Sequence, residues 1–216
     1  MADFTRIGYG QVEPNQLSAQ KTGQIYASLP LDSEVSVLQN GEFMYYDYKT
    51  GKVTADGIGE PMLVFNEIKR YEDRLSLKDF AMIRVGDNYV TSAPAVGRIT
   101  SENADGTVYG DGSLTVGVNA NPAHTEYGYR MDGIAPRLFK TNIGDIYTTN
   151  MVKVAVGTEY AQGDILVPKK NEQSHTLVLE KDENSPTVPA TGMAWVVAKV
   201  YTMPDGQPGL KLQRVQ

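Results

Sequence analysis

Glycine-containing turns most constrain this fold, because they divide the chain into short runs of aromatic and β-branched residues. The densest example is residues 35–71, where turns are predicted at Asn40-Gly41, at Thr50-Gly51 and around residues 56–59. Asn and Gly tolerate the positive φ that tight hairpin turns require. The stretch therefore predicts a small meander of two or three strands folded back on each other.

The runs between these turns have the composition of a pleated, half-buried sheet surface. They comprise Phe43, Met44, Tyr45, Tyr46 and Tyr48, followed by Met62, Leu63, Val64, Phe65 and Ile68. The residues expected in core strands are Val64, Phe65, Val196 and Val197, and those expected to be partly exposed are Tyr45, Tyr46 or Tyr48.

Strand-like runs recur after residue 137, whereas residues 86–133 are rich in turn signals. The later predicted strands cover residues 146–149, 152–156, 165–167, 192–201 and 209–215. Residues 170–189 are interpreted as a solvated hairpin tip or loop, and their Pro186-Thr187-Val188-Pro189 as a loop feature rather than a polyproline ligand. Residues 71–85 suit either a short helix or a bent strand.

These patterns predict a mainly β fold built from small antiparallel sheets or barrels, with an extended N-terminal arm. The predicted sections are the arm at residues 1–30, a first β lobe at 31–85, a loop-rich β insertion at 86–136 and a second β lobe at 137–216.

An internal similarity is compatible with two related lobes. Residues 40–44 resemble residues 162–166, and residues 59–68 resemble residues 192–200. Gly86-Asp87 and Gly144-Asp145 add partial copies of the same turn. The alternative is that any β protein repeats Gly-acid turns before its strands, and both interpretations stay open.

The predicted arm is polar, with widely spaced apolar anchors that favour docking on a partner. The anchors are Phe4, Ile7, Tyr9, Leu17, Ile25 and Tyr26. An extended segment can pair with the edge of a neighbour's sheet and place alternate side chains in its pockets. A mobile terminus is the alternative, and residues 15–24 are compatible with a short helix capped by Asn15.

The composition argues against several classes of function. A net charge of -6, a pI near 5.0 and dispersed Lys and Arg disfavour nucleic-acid binding, which needs clustered positive charge. The chain has no cysteine, so disulfides, thiolate metal sites and cysteine nucleophiles are excluded. No apolar stretch has the length of a signal peptide or a membrane span, so we expect cytosolic synthesis and no membrane partner.

Groups that could carry out chemistry are sparse. His124 and Glu126 make at most a partial metal or acid-base site, and His175 also lies among polar loop residues. Asp105 and Asp111 precede glycines but lack the spacing of a calcium-binding EF-hand loop.

A glycosidase pair would be sought at Glu42 and Asp47, which lie near three tyrosines. Glu42 follows the Asn40-Gly41 turn, where acidic residues are routine. We therefore predict no catalytic residues, no metal site and no cofactor.

The cluster Tyr45-Tyr46-Asp47-Tyr48 is interpreted as a sheet surface or an interface, since tyrosine presents apolar area and a hydrogen-bonding tip. Tyr45, Tyr46 and Tyr48 therefore join the six anchors of the arm as candidate partner-binding residues.

Three stretches carry a family resemblance: Gln39-Asn40-Gly41-Glu42-Phe43, Met62-Leu63-Val64-Phe65 and Gln162-Gly163-Asp164-Ile165-Leu166. With the polar arm and the acidic, cysteine-free β body, they resemble small β proteins of tailed-bacteriophage virions, especially head decoration (capsid cement) proteins. The resemblance covers residues 31–80 and 152–215. It implies a non-enzymatic protein, synthesised in the host cytoplasm, that binds and stabilises the capsid surface. Its implied partners are the major capsid protein and further copies of itself, often as a trimer.

Three other classes remain open. A tail or baseplate component of the same virion has the same β-rich sequence pattern. A carbohydrate-binding module would use the tyrosines as stacking platforms, and a hydrolase would need the acidic loops.

Because no metal site is predicted, EDTA should leave the melting temperature unchanged, since only an ion bound to the folded state would stabilise it. Thermal unfolding followed by circular dichroism, with and without EDTA, measures this. A drop of several degrees that calcium restores would contradict the prediction and implicate the loops of Asp105 and Asp111.

Overall fold

The computed structural model describes residues 6, 9–35, 37–66, 82–84, 135–154 and 159–216. Across these residues the fold is mainly β, as the sequence predicts. Most of the predicted loop-rich section 86–136 lies outside the described residues, as do Phe4, Ile7, Ile68 and His124.

The described residues form thirteen strands and one short helix. The strands are β1 (Val12–Gln16), β2 (Ile25–Tyr26), β3 (Val37–Gln39), β4 (Phe43–Asp47), β5 (Lys52–Thr54), β6 (Met62–Val64), β7 (Met82–Arg84), β8 (Leu138–Phe139), β9 (Ile146–Thr149), β10 (Ile165–Asn171), β11 (Thr176–Lys181), β12 (Trp195–Thr202) and β13 (Pro208–Arg214). Helix α1 spans Ser18–Thr22.

Eleven of these strands form one large antiparallel sheet that curls into a half-barrel. The strand order is β1-β9-β13-β12-β10-β11-β4-β6-β8-β2, with β5 paired to β4, and β3 pairs separately with β7. The sheet combines strands from the predicted arm and from both predicted lobes. The section boundaries at residues 30, 85 and 136 stay predictions.

The predicted meander is correct in its turns and partly wrong in its pairing. The turn at Thr50-Gly51 joins β4 to β5 as a hairpin. The turn at Asn40-Gly41 does not make a hairpin, because β4 pairs with β5 and β6 whereas β3 pairs with β7. β4 is therefore the central strand of this region.

Two of the later predictions also change. Residues 176–181, interpreted as loop, form β11, whose first four residues are buried. Their apolar run Leu177-Val178-Leu179 is a strand signal that was outweighed by the polar residues on either side. The helix predicted within residues 15–24 is confirmed as α1, but Leu17 occupies its N-cap position and Asn15 lies in β1.

The N-terminal strands occupy both ends of the curled sheet. β1 pairs with β9, and β2 pairs with β8. Residues 17–24 connect these two ends through α1, which stops at Gly23, where φ is 70°. Leu17 and Ala19 are 2% and 0% exposed and belong to the chain's own core. Residues 12–26 thus bridge the open side of the half-barrel.

Two hydrophobic clusters lie on opposite faces of the sheet around β4. The main core centres on Trp195, whose ring lies 4.9 Å from that of Tyr147 and 5.9 Å from that of Phe43. The second core includes Leu38, Met44, Val53, Val64 and Leu138. Alternating β4 residues supply the two clusters, so both faces of this strand are covered.

The predicted core residues follow the same alternation. Val64 and Val197 are fully buried, which confirms their assignment. Val196 is half-buried because it lies between the buried Trp195 and Val197, on the opposite face of β12. Phe65 lies just past the end of β6 and packs against the edge of the main core.

A Gly-acid turn occurs three times before a sheet strand. In each, a glycine with φ of 93° to 95° is followed by an acidic residue that bonds back to the first residue of the turn. Positive φ at the third position is what a type II turn requires. The three turns are residues 39–42 before β4, residues 142–145 before β9 and residues 161–164 before β10.

The three turns share a full set of hydrogen bonds. The glycine N–H donates to a partner-strand carbonyl, and the same partner residue donates its N–H to the acid's carbonyl. The acid's carboxylate accepts a hydrogen bond from the backbone N–H of the turn's first residue, at 2.7 to 2.9 Å. It also accepts one from the hydroxyl of a residue distant in the sequence. The acids are Glu42, Asp145 and Asp164, their partner residues are Val64, Arg214 and Val197, and the hydroxyls belong to Thr176, Ser18 and Ser185.

The internal similarity in the sequence therefore coincides with a repeated structure. Gly41 and Gly163 occupy equivalent positions, as do the partner residues Val64 and Val197. Gly144 marks the third copy, which the sequence showed only in part. Each turn locks the start of one strand to a neighbouring strand of the sheet.

Replacing Asp145 with Ala should destabilise the fold by about 2 to 4 kcal/mol, since a buried donor left unpaired costs about 1 to 3 kcal/mol. Asp145 accepts from the backbone N–H of Ser18 at 3.0 Å and of Asn142 at 2.9 Å. Urea unfolding measures the change, with the exposed Glu34→Ala as control. Equal stabilities for the two variants would contradict this role.

Candidate functional site

Three predicted partner-binding tyrosines come together on one face of the sheet. The ring of Tyr46 lies 5.2 Å from that of Tyr26 and 5.1 Å from that of Tyr48. The hydroxyl of Tyr46 also hydrogen-bonds to that of Ser28. Tyr26 comes from β2, whereas Tyr46 and Tyr48 come from β4 and the turn after it. The fold thus joins the arm and the meander at this point.

Ile58 extends this aromatic cluster into an apolar surface, here named the tyrosine patch and comprising Tyr26, Tyr46, Tyr48 and Ile58. Tyr48 is 74% exposed and Ile58 is 100% exposed. Ile58 lines the same groove as Tyr26 and Tyr46, which places it beside the rings. Large apolar side chains clustered in solvent mark interaction surfaces more often than isolated ones do.

A groove of about 370 Å³ lies in the patch, at the lower end of the range of small ligand sites. This patch groove is lined mainly by Tyr26, Tyr46, Ile58, Glu60, Met62 and Lys140. Aromatic and aliphatic side chains share its wall with the Glu60 carboxylate, the Lys140 ammonium and Thr141. The groove can therefore hold an apolar group and hydrogen-bond its polar neighbours.

Arg214 braces one side of the patch groove. Its side chain is only 4% exposed, and Nη2 lies 2.7 Å from Oε1 of Glu60. Nη1 donates to the backbone carbonyl and, at 3.1 Å, to the hydroxyl of Thr141, the residue after Lys140. One buried guanidinium thus holds the Glu60 and Lys140 segments in fixed relative positions.

Tyr45 does not join the patch, although the sequence grouped it with Tyr46 and Tyr48. It faces the other side of β4 and packs against the main core. A Cβ on Gly57 would lie 2.4 Å from the Cβ of Tyr45, so the loop of Ile58 packs closely over this tyrosine. Burial, with the charge of Asp56, raises the pKa of Tyr45.

The remaining arm residues lie elsewhere. Leu17, predicted as a partner-binding residue, is buried in the main core of its own chain. Ile25 is half-buried and packs against the same core. Tyr9 is half-exposed, and its carbonyl accepts a hydrogen bond from Asn150 at 3.0 Å. Phe4 and Ile7 lie outside the described residues.

Sequence reasoning missed Ile58, Glu60, Met62 and Lys140 as site residues. Ile58 carried a signal, because an isoleucine between two glycines in a turn is unsuited to a strand and is left in solvent. Lys140 and Arg214 carried none, since only long-range strand pairing brings them to Glu60.

Glu42 and Asp47 do not form a glycosidase pair. They lie at opposite ends of β4, about 16 Å apart at a rise of about 3.3 Å per residue, and on opposite faces. Glycosidase carboxyl groups lie about 5 to 10 Å apart. Asp47 instead accepts hydrogen bonds from Lys49 and Thr50 in the β4–β5 turn.

Glu42 is a buried acid with a raised pKa. It is 1% exposed, and it accepts from the N–H of Gln39 at 2.7 Å and from Thr176 Oγ1 at 2.9 Å. Burial raises its pKa to about 7, although these hydrogen bonds and the charge of Arg6 act in the opposite direction.

A metal centre finds no support within the described part of the chain. No group of three or more metal-ligating side chains occurs there. His175 lies in the β10–β11 turn with a φ of 52°. His124, Glu126, Asp105 and Asp111 lie outside the described residues.

Comparison with known proteins gave no matching family model, no curated protein and no solved structure of significant similarity. Among the described residues, no helix is both long enough and apolar enough to cross a membrane. The candidate site therefore rests on its own geometry.

Glu42 should make the fold less stable as pH rises. Its folded pKa of about 7 exceeds the ordinary value of 4.5, so the folded state binds the proton more tightly than the unfolded chain. The stabilisation that Glu42 contributes to the free energy of unfolding is fully present below about pH 4.5. It is lost as pH rises to about 7, and the loss is about 3 kcal/mol.

Glu42→Gln should remove this part of the pH dependence, because the amide stays neutral while it retains an acceptor for Gln39. Urea unfolding between pH 4.5 and 8 measures it, with the exposed Glu34→Gln as the matched control. Parallel stability curves for the wild type and Glu42→Gln would show that Glu42 does not titrate in this range.

Proposed function

We propose that this protein is a non-enzymatic structural protein of a tailed-phage virion that binds and stabilises the capsid surface. Its partners would be the major capsid protein and further copies of itself, with neither nucleic acid nor membrane involved. After synthesis in the host cytoplasm it would reside on the assembled head. The sequence resemblance described above supports this class of function.

The observation that carries the proposal is the tyrosine patch. Tyr48 and Ile58 present their side chains to solvent, next to rings that are already packed against the second core. Such rigid aromatic residues lose little side-chain entropy on contact, and tyrosine is enriched among residues that dominate binding energy. A protein that acts by binding needs this kind of surface.

The sheet behind the patch suits a protein that stabilises an assembly. Tyr46 lies on β4, which pairs with β5 at Tyr46 and with both β11 and β6 at Phe43. Core residues cover both faces of this strand. The patch is therefore carried by one of the most constrained strands of the fold. A partner attached there would be tied to the whole sheet rather than to a loose loop.

Two alternatives use the same surface. A tail or baseplate protein would dock through the patch on a different partner. A carbohydrate-binding module would stack a sugar ring on the exposed face of Tyr48.

Purified protein should cosediment with heads that lack it, and Tyr48→Ser with Ile58→Ser should weaken binding at least tenfold. That loss corresponds to about 1.4 kcal/mol, a modest value for losing two anchors. Val200→Ser is the control, because Val200 is 45% exposed and lies on β12, outside the patch.

Failure of the wild-type protein to cosediment with heads would overturn the proposal. Cosedimentation with isolated tails instead would favour the tail alternative. Binding that a soluble oligosaccharide abolishes would favour the carbohydrate alternative.

A further inference from the structure

A second groove lies on the β10–β11 hairpin and shares no lining residue with the tyrosine patch. Its volume is about 630 Å³, within the range of sites that hold small ligands. The hairpin, residues 151–154 and Arg6 supply its described lining. It is here named the cationic groove, because four cations line it: Arg6, Lys153, Lys169 and Lys170.

The described lining of the cationic groove is opposite in charge to the chain as a whole. The four cations lie with two carboxylates, those of Glu172 and Glu180, so the formal charge of the lining is +2. The whole chain carries a net charge of -6. A groove with a surplus of one sign of charge attracts groups of the opposite sign. The cationic groove therefore favours an anionic ligand.

The three lysines of this groove differ in how firmly they are paired. Lys153 forms a close ion pair within the groove, at 2.8 Å, and Lys170 lies 2.6 Å from Asp56 outside the lining. Lys169 has only a long contact, at 3.8 Å, with Glu183, whose side chain is 90% exposed. Exposed ion pairs of this kind contribute little to stability. Lys169 is therefore the lysine that a new anion can engage at least cost.

Arg6 forms no ion pair with any described residue. Its guanidinium is half-buried and donates to the thioether sulfur of Met151, a weak acceptor that carries no charge. Burial lowers the pKa of Arg6, although the charge of Glu42 acts in the opposite direction. A charge that loses water on folding is costly unless an anion is paired with it. A carboxylate bound to Arg6 would supply that anion.

Glu42 does not serve as this partner, because both of its carboxylate oxygens are already engaged. Oε2 accepts from the N–H of Gln39 at 2.7 Å, and Oε1 accepts from the hydroxyl of Thr176 at 2.9 Å. The side chain is 1% exposed, and these bonds hold the turn of residues 39–42. The charge of Glu42 acts on Arg6 without a salt bridge, so the guanidinium keeps donors for an anion from another molecule.

We propose that the cationic groove binds an acidic peptide segment of a partner protein. One carboxylate of the segment pairs with Arg6, whose planar guanidinium presents donors that match a carboxylate. A second carboxylate lies near Lys169 and replaces its long contact with Glu183. The inference goes beyond the proposed function, because it names a second contact surface that is separate from the tyrosine patch and does not rest on the identity of the assembly.

The lining favours carboxylates of a peptide over the phosphates of a nucleic acid. Glu172 and Glu180 lie among the cations and would repel a continuous row of phosphates. The acidic side chains of a peptide are separated by uncharged backbone, so they can reach the cations and avoid these two acids. Val154 is 43% exposed and adds apolar surface to the same groove, which the carbon atoms of a peptide can contact.

Fluorescence anisotropy with the full chain tests the inference. The probe is a labelled peptide in which glycine and glutamate alternate, and the comparison peptide carries glutamine in place of each glutamate. The glutamate peptide should bind saturably and at least tenfold more tightly than the glutamine peptide, because only the former carries carboxylates. Added salt should weaken its binding, since part of the attraction comes from solvent-exposed charges.

Three variants locate the binding site. Arg6→Gln should weaken binding of the glutamate peptide at least tenfold, because it removes the cation that the bound carboxylate pairs with. Lys21→Gln is the control, since it removes the same charge from an exposed position on α1 outside the groove, and it should bind like the wild type. Glu172→Gln, in the exposed β10–β11 turn, should strengthen binding about twofold or more, because it removes a like charge.

Equal affinity for the two peptides would overturn the inference, as would Arg6→Gln protein that binds like Lys21→Gln protein. Unchanged affinity in Glu172→Gln would also overturn it, and this arm does not require the Arg6 variant to fold. Tighter binding of an oligothymidylate with the same number of charges would assign the groove to nucleic acid instead. These measurements use no heads, so their outcome is independent of the proposed function.

Discussion

Three buried carboxylates define how the sheet is assembled. Glu42, Asp145 and Asp164 each replace a missing backbone acceptor at a turn, where the first N–H would otherwise have no partner. The same residues are clamped to a neighbouring strand through their backbone carbonyls. Side chain and main chain of one residue thus fix both the turn and the strand register.

The repeated turn produces two different electrostatic environments. Burial opposes ionisation of Asp164, but hydrogen bonds and the charge of Lys181, whose Nζ lies 2.8 Å from Oδ2, outweigh it and lower the pKa. Among the described residues Glu42 forms no ion pair, and the charge of Arg6 acts on it without a salt bridge, so burial prevails and its pKa rises. Burial and one lysine therefore decide whether the same hydrogen-bond pattern holds a charge or a proton near neutral pH.

Local chemistry made part of the fold predictable. The turns at Gly41 and Gly163 were visible because each glycine lies between an amide and an acid, and the turn at Gly51 was visible because glycine itself tolerates positive φ. Strand partners were not, because β4 pairs with β11 and β6 rather than with its predecessor β3. Likewise, Tyr46 and Tyr48 were predicted together because they are close in the sequence, whereas Tyr26 and Lys140 reach the patch through pairing that spans most of the chain.

The position of β1 and β2 at the two ends of the sheet has a consequence for synthesis on the ribosome. Both strands emerge before their partners β9 and β8, which are translated more than a hundred residues later. Such long-range pairing is intrinsically slow, and unpaired strands are prone to aggregate. The nascent N-terminal segment must therefore remain unpaired until most of the chain has been translated. The polar composition of this segment, which in the sequence was also compatible with a mobile terminus, keeps the segment soluble before it pairs.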